Sequence, residues 1–391
     1  METPDYQGGS LVNLMSSILR ARGGADSVLL YPPLRDPAAA FDEGLANARS
    51  LVLLVIDGLG YEYLTHAHTA SHTAAALRMR LTSVFPTTTA TAVTTLLSGL
   101  APQQHGIPGW FTYLREVGSV VAVLPFRPRH GGPSLARSGV PPRAILDWPP
   151  LFDRLEQSAF VVSPSNIAES DFSVTSGGRA ARQPFADLNG LFTVLQQLVR
   201  KPGPPRYVHA YWPALDSLGH RFGVGSPQVA EHFSALDAAV ARFIDSIQGS
   251  DTLVLLTADH GMVDTGPDQL VHLDAHPQLA RSLRIPLCGE PRIAHCYVEP
   301  ERREEFEGYV RDELQTFCSV YASRALLDQG FYGAGAVHPR FAERLGDYTL
   351  LMKDHAVIKD RLLGEHDFDQ IGVHGGLSSA ELYVPLAVFP A

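Results

Sequence analysis

Two stretches of this chain share one pattern. Leu51-Val-Leu-Leu-Val-Ile56 is apolar at every position and stops at Asp57-Gly58, and Thr252-Leu-Val-Leu-Leu-Thr257 leads through Ala258 to Asp259-His260-Gly261. A strand with one wet face alternates. A run with no alternation reads as a strand covered on both faces, the situation of an inner strand in a parallel sheet. The carboxylates and the imidazole that end these runs then fall at the carboxyl edge of the sheet, where open α/β folds gather their ligands. The class this implies is α/β, a three-layer sandwich whose mostly parallel central sheet has helices on both faces.

The remaining segments fit that frame. Ser10 caps an amphipathic helix over 10–22. Residues 81–85 read as a short strand leading into the hydroxyl run Thr87-Thr-Thr89-Ala-Thr91, and an apolar helical run from Ala92 to Leu97 follows, closed by Gly99. Residues 119–125 and 159–163 are β-like and 184–199 is helical. Arg206 to Trp212 is a further strand, with Asp216 and His220 just beyond it. Ser226-Pro227 is a helix start with a cap and a first-turn proline, and Val229, Phe233, Leu236, Val240, Phe243, Ile244 and Ile247 follow at helical spacing. From 285 to 347 the texture becomes that of a small α+β insertion. The expected division is therefore a catalytic core of residues 1–284 and 348–391, with the insertion at 285–347 and buried strands at 348–352 and 382–389.

Bulk properties exclude some classes. A net charge of −10 over 391 residues argues against a nucleic-acid polymer or a membrane surface as partner, since either selects a basic face. No stretch approaches the ~20 apolar residues of a membrane span. Three cysteines, Cys288, Cys296 and Cys318, make no paired framework and have no metal spacing. The first residues carry no basic segment followed by an apolar run. The expectation is a cytoplasmic enzyme. His66, His68 and His72 do not line one helix face and read as solvated surface.

Asp57, Asp216, His220, Asp259, His260 and His374 all sit where strands are expected to end, and Thr89 lies at a helix start. Carboxylates with imidazoles suit Zn²⁺ or a similar divalent ion. Six such groups exceed one tetrahedral ion and match two ions roughly 3.5–4 Å apart, the arrangement that clamps an in-line phosphoryl displacement. A hydroxyl at a helix N-terminus, beside such ions, becomes an alkoxide nucleophile. Thr87, Thr88 and Thr91 are rival hydroxyls in the same run.

Taken together, Val-Ile-Asp57-Gly, Phe-Pro-Thr-Thr-Thr89-Ala-Thr, Ser-Gly-Leu-Ala-Pro-Gln-Gln-His105-Gly-Ile, Asp216-Ser-Leu-Gly-His220, Thr-Ala-Asp259-His260-Gly-Met and Gly-Val-His374-Gly resemble the alkaline phosphatase superfamily, and within it the type I phosphodiesterase/nucleotide pyrophosphatase branch. The resemblance implies an alkaline phosphatase-like fold and two divalent ions, Zn²⁺ first and Mn²⁺ as the alternative. One ion would be held by Asp216, His220 and His374, the other by Asp57, Asp259, His260 and the Thr89 oxygen. Thr89 would be the nucleophile, selected among its rivals by its spacing to Ser98-Gly-Leu and His105-Gly-Ile, and would form a phospho-threonine that water then hydrolyses. The branch usually places an asparagine where this chain has Trp110, so the amide donor to a phosphate oxygen is missing there. Trp110, Arg127 and Arg129 are the expected substrate contacts. The implied substrate is a small phosphate ester, a nucleotide or other phosphodiester. The alternatives are a phosphomonoesterase or phosphonate hydrolase on the same metals, for which Arg127, Arg129 or Lys353 would supply the cation, and a non-catalytic binding module that keeps the fold.

Overall fold

The computed structural model describes residues 2–24, 28–35, 39–367 and 370–391. Its central sheet has seven strands in the order Leu77–Thr82, Tyr383–Pro390, Thr252–Thr257, Ser50–Ile56, Arg206–Trp212, Ser158–Pro164 and Ala181–Phe185. The last five are mutually parallel. The Tyr383–Pro390 strand runs against its neighbours on both sides, so Leu77–Thr82 points the same way as the parallel set. Leu51 to Ile56 are wholly buried at the middle of the sheet, as the unbroken apolar run requires.

The consequence is that four chain segments leave the sheet at one edge. Asp57 follows Ser50–Ile56, and the helix Ala214–Phe222 with Asp216 and His220 follows Arg206–Trp212. Asp259 and His260 follow Thr252–Thr257, and the helix Thr89–Ser98 follows Leu77–Thr82 through an extended link. The helix Pro227–Ser246 starts as its sequence demands, with the Ser226 hydroxyl accepting from Val229 N–H at 3.3 Å. The helix at Leu11–Arg22 likewise begins just after Ser10. The expected helix over 184–199 is shifted: Ala181–Phe185 is the edge strand, and the helix is Leu188–Arg200, capped by Asp187.

A second sheet differs from the expected division of the chain. It is antiparallel, with seven strands in the order Cys318–Ala322, Tyr348–Met352, Ile293–Cys296, Cys288–Glu290, Phe111–Leu114, Ser119–Ala122 and Arg127–Pro128. Tyr348–Met352 therefore pairs inside this sheet and not in the central one, and residues 111–128 join it from much earlier in the chain. A strand buried on both faces has the same apolar texture in either sheet, so sequence alone could not assign it. The helix Arg303–Glu313 covers one face through Phe306 and Val310, against Ala294, Cys296, Leu350 and Met352.

One buried ion pair ties the second sheet to the segment that carries His374. Arg292, in the turn between Cys288–Glu290 and Ile293–Cys296, donates from Nε and Nη2 to Glu381 at 3.1 and 2.8 Å. Its Nη1 donates to the Lys353 and Ala356 carbonyls. Glu381 also accepts from Gly376 N–H and Ser378 Oγ. Both side chains are at most 1% exposed. Burial alone would raise the Glu381 carboxyl, but Arg292 and the donors around it hold it below its ordinary value. The carboxylate thus contributes stability above the unfolded value of roughly 4.3, and that contribution is lost as pH falls below it. Arg292→Met should cost ~3–5 kcal/mol, because it strands a buried charge. Chemical denaturation at neutral pH measures this, and the double variant Arg292→Met/Glu381→Leu should recover part of the loss. A cost under ~1 kcal/mol for Arg292→Met would contradict this role.

Candidate metal centre

Six side chains converge at the shared sheet edge in two groups. Asp216, His220 and His374 have ligand atoms within 4.8 Å of one another, and so do Asp57, Asp259 and His260. The groups adjoin: the His260 and His374 rings stack with centroids 3.8 Å apart, and His220 lies 5.2 Å from His374. His374 reaches this place from the strand Gly372–Val373, which pairs with Val263–Asp264 just beyond the Asp259-His260 turn. Two glycines permit the crowding. Gly58 takes φ +76°, and a Cβ there would lie 3.1 Å from the Asp216 Cα. A Cβ on Gly261 would collide with the Ala380 carbonyl and come within 2.8 Å of the Gly60 Cα.

The donor geometry fits cations. Each aspartate has one oxygen held and one left without a hydrogen-bond partner. Asp57 accepts from the Tyr211 hydroxyl on Oδ2 and leaves Oδ1. Asp259 accepts from Gly58 and His260 N–H on Oδ1 and leaves Oδ2. Asp216 meets His220 Nε2 at 3.2 Å on Oδ2 and leaves Oδ1. Buried, unpartnered carboxylate oxygens are costly unless a cation meets them. The histidines are oriented to match. Nδ1 of His220, His260 and His374 lies 2.7, 3.1 and 3.2 Å from the carbonyls of Gly372, Gly261 and Thr87. Donation there assigns the proton to Nδ1 and leaves the Nε2 lone pair for an ion, the usual backing of a ligating histidine.

The same crowding shows in the acidities. Burial, and then the charges of Asp259 and Asp216, push the Asp57 carboxyl well up. Burial acts the same way on Asp216, but His220 and then His374 overcome it and hold that group at about 2. Burial and the neighbouring His260 push the His374 imidazole down, which keeps it neutral as a ligand must be.

Thr89 is the first residue of its helix, and its Oγ1 lies 3.1 Å from His260 Nε2. The rival hydroxyls are engaged elsewhere. Thr87 Oγ1 donates to the Gly376 carbonyl at 2.8 Å, Thr88 Oγ1 to Glu290 at 2.6 Å and Thr91 Oγ1 to the Ile107 carbonyl at 3.2 Å. His105 is structural. It is wholly buried, its Nδ1 accepts from Ile107 N–H, and its Nε2 lies 3.3 Å from the Thr95 hydroxyl of the Thr89 helix. Burial pushes its pKa down to about 3.

A cavity of about 840 Å³ opens over the cluster. Asp57, Thr89, Asp216, His220 and His374 line its floor, and Val93, Leu97, Leu124, Ile167 and Phe172 give it an apolar wall. Trp110 is among its lining residues. The two arginines are not. Arg127 is exposed on its short strand, and Arg129 is buried away from the lining, where Asp360 and Glu365 take its guanidinium at 2.7 and 2.8 Å. Proline and glycine around these arginines suggested an open loop, and the acidic partners more than two hundred residues away were invisible from sequence. Lys353 is not a lining residue either; its Nζ donates to the Gln315 carbonyl.

Sequence reasoning missed several polar lining residues, among them Glu290, Tyr211, His209 and Lys359. Glu290 Oε1 accepts from Thr88 Oγ1 and from Trp110 N–H at 2.7 Å, and burial pushes its pKa up to about 6. A carboxyl group therefore stands beside the position where an amide donor was expected. No local signal marks it, because Glu290 closes an ordinary hairpin strand.

Comparison with known proteins agrees with this fold. The human ectonucleotide pyrophosphatase/phosphodiesterase 5 structure matches at 16% identity over 86% of this chain and 87% of that one, with a TM-score of 0.65. An inactive variant of the murine protein in complex with AMP matches at 16% identity over the same shares, with a TM-score of 0.64. Phosphonoacetate hydrolase from Sinorhizobium meliloti 1021, in complex with phosphonoformate, matches at 18% identity over 88% of this chain and 90% of that one, with a TM-score of 0.64. At such identities the likeness is one of fold, and it is the alkaline phosphatase-like α/β fold expected above. No helix among the described residues is long and apolar enough to cross a membrane. The sequence profile of the type I phosphodiesterase/nucleotide pyrophosphatase family matches residues 51–377, and the chain belongs to that family.

Proposed function

We propose that this protein is a two-metal phosphoester hydrolase that acts on phosphodiesters or nucleotide pyrophosphates through Thr89. The observation that carries the reading is the set of three unpartnered aspartate oxygens gathered around Nε2 lone pairs, with one threonine hydroxyl facing them. Asp216, His220 and His374 would hold one ion, and Asp57, Asp259, His260 and Thr89 Oγ1 the other. The ions, Zn²⁺ or Mn²⁺, would supply charge that lowers the hydroxyl pKa and offsets negative charge on the phosphoryl oxygens. Thr89 Oγ1 gives up its proton and attacks phosphorus, one ester oxygen leaves and takes up a proton, and a phospho-threonine that still carries the substrate's other ester group remains for water to cleave. Thr89 lies in the first turn of the helix Thr89–Ser98, whose positive end favours a negative phosphoryl group beside it. The apolar wall suits a base or another organic leaving group. The three thiols are free and buried, which supports a cytoplasmic setting.

Glu290 favours a diester over a monoester. Its carboxyl touches Thr88, the residue before the nucleophile, so at pH 8 its charge opposes the second charge of a monoester. A like-charge contact of this kind costs several kcal/mol in a partly dry site. Bis(p-nitrophenyl) phosphate should exceed p-nitrophenyl phosphate in kcat/KM by ~10²-fold, about 2.7 kcal/mol, and Glu290→Gln should narrow that ratio. A monoester preference in the wild-type enzyme would turn the assignment to the phosphomonoesterase alternative. Bound ions with no turnover of either ester would favour the binding module.

A further inference from the structure

We propose that His209 and Ser163 determine substrate specificity: they hydrogen-bond the polar edge of a ring, heterocyclic or hydroxylated, carried by the substrate whose phosphoryl group faces Thr89. The proposal rests on the functional reading above and adds to it the chemistry of the organic group.

Beyond the ligand cluster the cavity is lined by one helix and two strands of the central sheet. On the helix, Val93 and Leu97 follow Thr89 at spacings of four and eight, so all three share a face and line the cavity together. On the strands, Val161, Ser163, His209 and Tyr211 are lining residues. Val161 and His209 are directly paired, and Ser163 and Tyr211 each lie two positions further along their strands, on the same face. Tyr211 is committed to the cluster, since its hydroxyl donates to Asp57. His209 stands two residues further from the sheet edge, roughly 7 Å along the strand.

Two polar groups on this face have no partner in the protein. His209 Nδ1 and Ser163 Oγ are buried without a hydrogen bond, in residues only 2% and 5% exposed. Among the described residues, the other unpartnered buried polar atoms of the cavity lining are the Asp57 and Asp216 oxygens assigned to the ions. Nearby lining hydroxyls are engaged: Ser170 Oγ donates to Ser173 Oγ at 3.0 Å, and Ser217 Oγ to the Pro213 carbonyl at 3.1 Å. The Phe152 ring, edge-on to His209 with centroids 6.2 Å apart, supplies no acceptor. Burial pushes the His209 pKa down to about 4, so at pH 7 the neutral ring offers one N–H donor and one acceptor. Buried groups of this kind are costly until something meets them. Val93, Leu97 and Phe172 give apolar surface to a ring, and His209 and Ser163 meet a nitrogen, amine or hydroxyl on its rim. A hydrocarbon ring would leave both groups unpaired, and the site discriminates against it.

The test compares ligands of matched shape that differ only at the rim of the ring, by calorimetric titration into the zinc-loaded protein. 2-Phenylethylphosphonate is compared with its 4-hydroxyphenyl and 4-pyridyl counterparts, and purine riboside monophosphate with AMP, which adds one amine. The wild-type protein should prefer the polar member of at least one pair by ~10-fold. The double variant His209→Leu/Ser163→Ala should bring that ratio close to one, and Ser163→Ala alone should reduce it. His209→Asn, which keeps a donor and an acceptor, should retain part of it. Because neither group is bonded within the protein, His209→Leu should leave Tm unchanged or raise it. A wild-type preference in no pair, or one that survives in the double variant, overturns the proposal. So does a large fall in Tm in His209→Leu with the ratio intact in Ser163→Ala, which would make the imidazole part of the core. Turnover of bis(p-nitrophenyl) phosphate on the same samples reports the catalytic reading separately, so its failure and the failure of this proposal are told apart.

Discussion

Thr89→Ala should lower kcat by ~10³-fold or more, about 4 kcal/mol of transition-state stabilisation, while leaving the protein folded. Of the four hydroxyls in the run Thr87 to Thr91, this is the one whose oxygen faces the ligand cluster. The other three donate to fixed acceptors and cannot turn to the cluster without breaking those bonds. The helix start adds unpaired N–H groups at the same point. Removal of one methyl and one hydroxyl from a site that stays 8% exposed opens little space, so the thermal midpoint should move by only a degree or two. Thr89→Ser keeps the nucleophile and should retain far more activity than the alanine variant. Acid-quenched enzyme should carry covalent phosphate in the wild type and none in Thr89→Ala. Near wild-type turnover by Thr89→Ala would remove Thr89 as nucleophile and leave the reaction to a water.

The parts of this molecule that were legible from sequence are those whose cause is local. Six apolar residues before Asp57 dictate a doubly covered strand, and the same rule places Thr252–Thr257 beside it. Once both strands are parallel neighbours, Asp57 and Asp259 must leave the sheet at the same edge, so their meeting follows from chain direction. What could not be read depends on contacts distant in sequence. Tyr348–Met352 has the texture of a central strand but pairs with Cys318–Ala322, because apolar composition reports burial and not the sheet that provides it. Arg129 had the chemistry of a substrate contact, and Asp360 and Glu365 consume it. Glu290 and Glu381 are single acids in unremarkable sequence. Thr88 and Trp110 make one a wall of the cavity, and Arg292 makes the other the anchor of the segment that carries His374. Motifs reveal ligands because several must coincide at fixed spacing, whereas a lone acid that supports them leaves no such trace.

Removal of divalent metal should abolish hydrolysis and loosen the fold together. Asp57, Asp216 and Asp259 are buried side by side, with three oxygens unpartnered and mutual repulsion that no arginine or lysine among the described residues relieves at the cluster. In such a site the cation is part of the folded structure, and its binding free energy adds to stability. At ~1,000 times the dissociation constant each site contributes ~4 kcal/mol, so two sites give ~8 kcal/mol. For 391 residues the unfolding entropy converts this to a fall in Tm of roughly 10 °C on chelation. Elemental analysis of the reloaded protein should find two ions per chain, and activity should return with the second. Asp216→Asn and Asp259→Asn separate the sites: each should lose one ion, keep the other, and turn over at less than ~1% of the wild-type rate. A chelated protein with unchanged Tm and undiminished turnover would show that the convergence of these six side chains is not a metal centre, and the role proposed for Thr89 would then have no activating charge beside it.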